Sequence, residues 1–134
     1  MAKITQDMKD IAGKSKVFIM ATASKDGKPN GVPIGLVQLI SDDEIMLVDN
    51  FMNKTRQNID ENPMVAVSFW GGKGGYGYQF KGKARVETSG KLFDEASRAA
   101  QVEEPKHSPK AVVVVKVEEI YYVGHGPDSG KRLA

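Results

Sequence analysis

The chain has 134 residues, enough for one domain (1–134), and is 40% hydrophobic and 27% charged, which is ordinary for a globular protein and rules out wholesale disorder. It has no cysteine and only two histidines, His107 and His125, so disulfides, thiolate metal sites, Cys nucleophiles and His-rich metal centres are excluded. The net charge of +2, from 19 basic and 17 acidic residues, is too balanced to argue for nucleic acid.

The first element predicted in chain order is a short helix over residues 5–14. Thr5 caps it, Met8, Ile11 and Ala12 recur at helical spacing, and Gly13 ends it. Residues 17–23 read as a buried strand. The Asp26-Gly27 pair marks a hairpin turn before a second strand over 31–40. Pro33 lacks an N–H and places a bulge or a sheet edge inside that strand, and Gly35 leaves room for close approach to the backbone. A turn at 41–43 leads to a third strand, Glu44–Asp49. A helix over Lys54–Glu61 follows, capped by Asn53 and stopped by Asn62-Pro63. Met64–Trp70 is a fourth strand, 71–75 a flexible Gly-rich tip, and 76–88 a long fifth strand with a bend at Gly82. A helix over 91–101 presents Leu92, Phe93, Ala96 and Ala99/Ala100 on one side. A polar loop over 103–109 leads to the sixth strand, 111–122, and residues 123–134 form a polar tail. Six short strands joined mainly by hairpins, with three short helices, predict a mainly β (α+β) fold: a six-stranded antiparallel barrel, because closure removes sheet edges.

The longest purely apolar run, 111–115, is far short of the roughly 20 residues that span a bilayer. The N-terminus is polar and carries an acid early, so no signal peptide and a cytoplasmic location are expected.

Three stretches carry possible chemistry. In the first, a strand end runs through Asp49-Asn50-Phe51-Met52 into the helix that begins Asn53-Lys54-Thr55-Arg56. The first turn of that helix has unpaired N–H groups and partial positive charge, and cations placed there oppose the helix dipole at a cost of roughly 0.3–1 kcal/mol each. An anion bound at that turn removes the cost, which makes a phosphate site; alternatively, Lys54 and Arg56 are ordinary surface cations. The second stretch, Asn30 to Gly35, offers backbone groups to a heterocycle edge, or is a barrel-closing kink. The third sets Phe69, Trp70, Tyr76 and Tyr78 around the Gly-rich tip, either to stack on a flat ring or as core aromatics of a hairpin. Lys81, Lys83 and Arg85 share one side of a strand and read as a solvated face, and His107 and His125 as solvent-exposed. No catalytic acid/base constellation and no metal site are expected.

The ordered set of motifs resembles a known family. Ile19-Met20-Ala21-Thr22-Ala23, Asp26-Gly27-Lys28-Pro29 and Val32-Pro33 are similar to the opening hairpin of the pyridoxamine 5′-phosphate oxidase-like split β-barrels. Met52-Asn53-Lys54-Thr55 with Asn58-Ile59 and Asn62-Pro63-Met64 resembles their phosphate-binding turn, helix and following strand. Phe80-Lys81-Gly82-Lys83-Ala84 resembles a later strand. The resemblance runs from about Ile11 to Tyr122 and is nearest to the small FMN-binding proteins of bacteria and archaea.

The resemblance implies a split barrel, a homodimer with FMN at the interface, and a role as flavoprotein oxidoreductase or electron carrier with a nicotinamide or protein donor. It implies that Lys54 and Thr55 bind the phosphate with help from Asn53 or Arg56. Val32, Pro33 and Ile34 would line the ring and ribityl chain, beside Asp49, Asn50 and Phe51. Trp70, Tyr78 and Gln79 would come from the partner subunit. The chain is shorter than the oxidase and lacks its C-terminal Arg-x-His-type segment, so pyridoxamine 5′-phosphate oxidation itself is not the expected activity. Deazaflavin or haem in the same barrel is the alternative. A barrel binding single-stranded nucleic acid through Trp70, Tyr76, Tyr78, Lys81 and Lys83 is a third reading; it predicts steep salt dependence.

Overall fold

The computed structural model describes residues 2–50, 52–103 and 109–134. Helix α1 (Gln6–Lys14) starts at Thr5, whose hydroxyl accepts from the Met8 N–H at 3.4 Å. Gly13 does not end it. The helix runs to Lys14, and the Ser15 N–H closes it onto Ile11 and Ala12 carbonyls.

The strands are β1 (Phe18–Ala23), β2 (Pro29–Ile34), β3 (Val37–Leu39), β4 (Glu44–Asp49), β5 (Met64–Trp70), β6 (Gly77–Glu87) and β7 (Ala111–Val123). Helix α2 (Lys54–Glu61) joins β4 to β5, and α3 (Lys91–Glu103) joins β6 to β7. The sheet therefore has seven strands where six were expected. The predicted strand over 31–40 is divided by Gly35 and Leu36, and its two halves leave to opposite edges of the sheet. The order is β2-β1-β5-β6-β7-β4-β3, with every pairing antiparallel.

That order forces the sheet to curl. Three chain steps, from Ile34 to Val37, reach at most about 11 Å. The two edges β2 and β3 must therefore lie side by side although five strands separate them in the sheet. They do not pair, and the result is a split barrel. Pro33, opposite Ile19 in the register, sits on the edge strand, where its missing N–H breaks no ladder.

The run of valines in β7 packs on two sides. Val113, Val115 and Val117 face the barrel interior with Met20, Leu47, Val67, Phe69, Phe80 and Ile120. Val112 and Val114 face outward with Met46 and Val48, beneath Ala96, Leu92 and Phe93 of α3. A strand covered on both faces loses the polar alternation of a one-sided sheet. The bend predicted at Gly82 is a β-bulge between Lys81 and Gly82, and a Cβ at Gly82 would stand 1.8 Å from the Lys116 carbonyl oxygen.

The tip after β5 is a 3-10 turn over Lys73–Gly75, with Gly74 and Gly75 at positive φ. Tyr76 and Tyr78 both donate to Asp7 of α1, and Tyr122 stacks on Tyr76, so these aromatics tie the helix to the barrel end. The polar tail folds back on β7. The Tyr122 N–H donates to Lys131, and the Leu133 N–H to Ile120, at 2.9 and 2.7 Å. It covers the part of β7 beyond Lys116 that β4 leaves open. No helix among the described residues is long and apolar enough to cross a membrane.

Candidate functional site

A cleft of about 600 Å³ opens where the barrel is split. One wall is β2, contributing Asn30, Val32, Pro33 and Ile34, with Gly35 and Leu36 beyond it. Val48 and Asn50 come from the end of β4, and Met52, Asn53, Lys54 and Thr55 from the turn into α2. Ala100 of α3 closes the far side. The cleft thus has an apolar wall and one polar, cationic end, the usual composition of a small-molecule site.

The cationic end is the first turn of α2. Asn53 occupies the N-cap position, but its side chain makes no cap bond, which corrects the expected Asn53 cap. The helix carries no acid in its first turn. Among the described residues nothing accepts from the N–H groups of Lys54, Thr55 and Arg56. Lys54 is exposed and has no carboxylate within ion-pair distance among the described residues. Lys54 and Thr55, at the start of α2, line this end of the cleft, and N–H groups without an acceptor among the described residues, a helix dipole and an ammonium there suit an anion. The Asn50 Oδ1 on the cleft wall is enclosed and has no hydrogen-bond partner among the described residues, so the wall offers a buried acceptor to a ligand donor.

Asp49 does not line the cleft. It is fully buried at the end of β4; its Oδ1 accepts from the Met52 N–H at 2.9 Å and its Oδ2 pairs with Arg56 at 3.4 Å. It braces the turn from below and engages Arg56, which also reaches Asp60 at 3.7 Å. Arg56 is therefore committed to two carboxylates, and Lys54 is the cation the cleft presents.

Beneath Thr55 lies a buried polar network. Asn30 Nδ2 donates to Thr55 Oγ1 at 3.0 Å and to Thr22 Oγ1 at 3.3 Å, while Asn58 Nδ2 donates to Thr22 Oγ1 at 3.0 Å. Thr22, Thr55 and Asn58 are all buried. The network ties β1, β2 and α2 together under the cationic end.

Of the residues expected at the site, Val32, Pro33, Ile34, Asn50, Asn53, Lys54 and Thr55 are brought together in the cleft. Phe51 lies outside the described residues, as does His107. Trp70, Tyr78 and Gln79 do not line this cleft. Trp70 is 46% exposed beside the tip; Gln79 is half-buried and donates to Ser68; Tyr78 is buried within its own chain against Phe69 and Asp7. Tyr78 and Phe69 are thus core aromatics of a hairpin, the second of the two readings left open for them. The sequence did not single out Leu36, Met52 and Ala100 as site residues. Met52 lies inside the flagged Met52-Asn53-Lys54-Thr55 motif and Leu36 adjoins the stretch from Asn30 to Gly35, but no local signal in α3 marks Ala100, which reaches the cleft only through the packing of the helix on β4 and β7.

A curled antiparallel sheet, open along one seam and with a helix N-terminus at the mouth of the seam, defines a split β-barrel with a cleft suited to an anionic ligand. The chain belongs to the pyridoxamine 5′-phosphate oxidase family, whose description matches residues 4–124. It is 38% identical over 136 aligned positions to an uncharacterised protein of Methanocaldococcus jannaschii, covering 100% of this chain and 90% of that one. The solved structure of HupZ from Group A Streptococcus matches with a TM-score of 0.81 and 32% identity, covering 95% of this chain and 99% of that one. An FMN-binding protein from Syntrophomonas wolfei shares the fold, with a TM-score of 0.79 and 18% identity over 90% of this chain and 85% of that one.

Proposed function

We propose that this protein binds FMN non-covalently in the cleft and acts as a flavin oxidoreductase or electron carrier. The observation that carries this reading is that the first turn of α2, whose N–H groups have no acceptor among the described residues, brings Lys54 and the buried Thr55 to one end of a cleft whose wall is apolar. A flat, largely apolar ligand with one terminal phosphate matches both halves. Lys54, Thr55 and the N–H groups of the first turn hold the phosphate, and Asn53 stands beside them. Val32, Pro33 and Ile34 lie along the ring and ribityl chain, and Asn50 Oδ1 accepts from a hydroxyl or ring N–H. FMN, when bound, supplies the hydride or single-electron transfer; the chain's own residues orient it and exclude water. This division of labour needs no acid/base pair from the protein. The electron donor is a nicotinamide or another protein.

The same reading includes a homodimer with two sites. The outer face of β5 and β6 presents the exposed Met64 and Trp70, and a second copy seated there would bring Trp70 and Gln79 to its partner's cleft. Tyr78 supports that face from inside its own barrel.

The test is the visible spectrum of protein purified without added cofactor, with mass spectrometry of what heat releases. Flavin bands and released FMN support the reading. A haem Soret band or a released deazaflavin replaces the cofactor within the same barrel, and a colourless protein that refuses added FMN overturns the reading.

A further inference from the structure

We infer that Asn30 is a positioning residue that turns the Thr55 hydroxyl into a phosphate donor; this rests on the cofactor reading above. A threonine hydroxyl has one proton to give and two lone pairs to receive. Asn30 Nδ2 spends both its hydrogens on hydroxyl oxygens, one on Thr55 Oγ1 at 3.0 Å and one on Thr22 Oγ1 at 3.3 Å. Thr22 Oγ1 also receives Asn58 Nδ2 at 3.0 Å. Thr55 Oγ1 is therefore an acceptor on its buried side. Its proton finds no acceptor among the described residues, although the side chain is 2% exposed. A buried hydroxyl proton without an acceptor is costly, and the direction left to it is the cleft that Thr55 lines beside Lys54. An anionic oxygen at the first turn of α2 supplies the missing acceptor. Asn30 does not need to touch the phosphate; it sets which way the Thr55 donor points.

The role predicts an effect confined to the phosphate, so FMN and riboflavin are compared. Asn30→Ala is expected to weaken FMN about tenfold while riboflavin affinity stays within about twofold, because a charge-assisted hydrogen bond is lost at one end of the ligand only. Thr55→Val is expected to do the same. In the Thr55→Val background, Asn30→Ala adds at most about twofold further loss, since the two residues act through one bond. Asn30→Asp keeps the size of the side chain but can only accept, so it draws the Thr55 proton inward and weakens FMN more than Asn30→Ala does. Circular dichroism identifies any variant that fails to fold, and Asn30→Asp keeps the test decisive if Asn30→Ala is one. Equal losses for FMN and riboflavin, additive losses in the cycle, or an Asn30→Asp variant with wild-type FMN affinity overturn the inference. Wild-type protein without FMN affinity overturns the cofactor reading and this inference together; wild-type affinity with an additive cycle overturns this inference alone.

Discussion

At the scale of single residues, the site separates groups that face the ligand from groups that hold them. Lys54 is exposed at the mouth of the cleft and has no competing carboxylate among the described residues. Lys54→Ala is expected to lower FMN affinity by about tenfold or more and to leave riboflavin nearly unaffected, as equilibrium fluorescence titration would read. Unchanged FMN affinity would remove Lys54 from the phosphate site. Asp49 belongs to the other group. Its carboxylate is buried, caps the Met52 N–H and engages Arg56. Asp49→Ala should therefore cost about 2 kcal/mol in urea unfolding, because it leaves a buried donor and a partly buried cation without their acceptor. The sequence placed Asp49 and Arg56 in the correct segment. It had no means of telling that they face each other beneath the turn, because the direction a strand's last side chain takes depends on the sheet to which the strand is added.

At the scale of elements, local patterns carried far. The predicted bounds of Glu44–Asp49, Lys54–Glu61 and Met64–Trp70 are those observed, since apolar runs and a stopping proline coincide there. The strand over 31–40 did not survive as one element, because its division at Gly35 and Leu36 sends the halves to opposite sheet edges. Glycines test these placements. Gly82→Ala puts a Cβ 1.8 Å from the Lys116 carbonyl oxygen, and the β-bulge must shift to relieve it. The expected loss is about 1–3 kcal/mol by thermal or chemical unfolding. Gly13 lies inside α1 with open space around its would-be Cβ. Gly13→Ala is expected to stabilise by about 0.5–1 kcal/mol, and a loss of similar size would argue against the helix continuing through that position.

At the scale of the whole molecule, α1 is fastened to the barrel end by Asp7, which accepts from Tyr76 at 3.2 Å and from Tyr78. Burial pushes the Tyr78 phenol well above its ordinary value, and the Asp7 carboxylate reinforces this; Tyr76 is raised for the same two reasons, burial first. A phenol whose folded pKa exceeds its unfolded one holds its proton more tightly in the folded state. Its contribution is complete below about pH 10 and is lost as pH rises above it. Stability should therefore fall as the pH rises above 10. Tyr78→Phe should flatten that fall; an unchanged alkaline slope would count against the coupling. The proposed dimer is tested at the same scale. Trp70→Glu places a charge on the outer sheet face, and sedimentation should show monomers with weakened FMN binding. A dimer that persists with full affinity would place the interface elsewhere.

The sequence by itself determined the class of fold, the bounds of most elements and the segment that forms the cationic end of the cleft. These follow from period, capping and turn chemistry, which act over a few residues. The division of the 31–40 strand between the two sheet edges, the inward turn of Asp49 and the arrival of Ala100 at the cleft were decided by tertiary structure alone. So was the meeting of Asn30 with Thr55, 25 residues apart. The physical reason is that a curled sheet brings its two edges and a distant helix to one seam, and which side chains face that seam depends on the register and curl of all seven strands together.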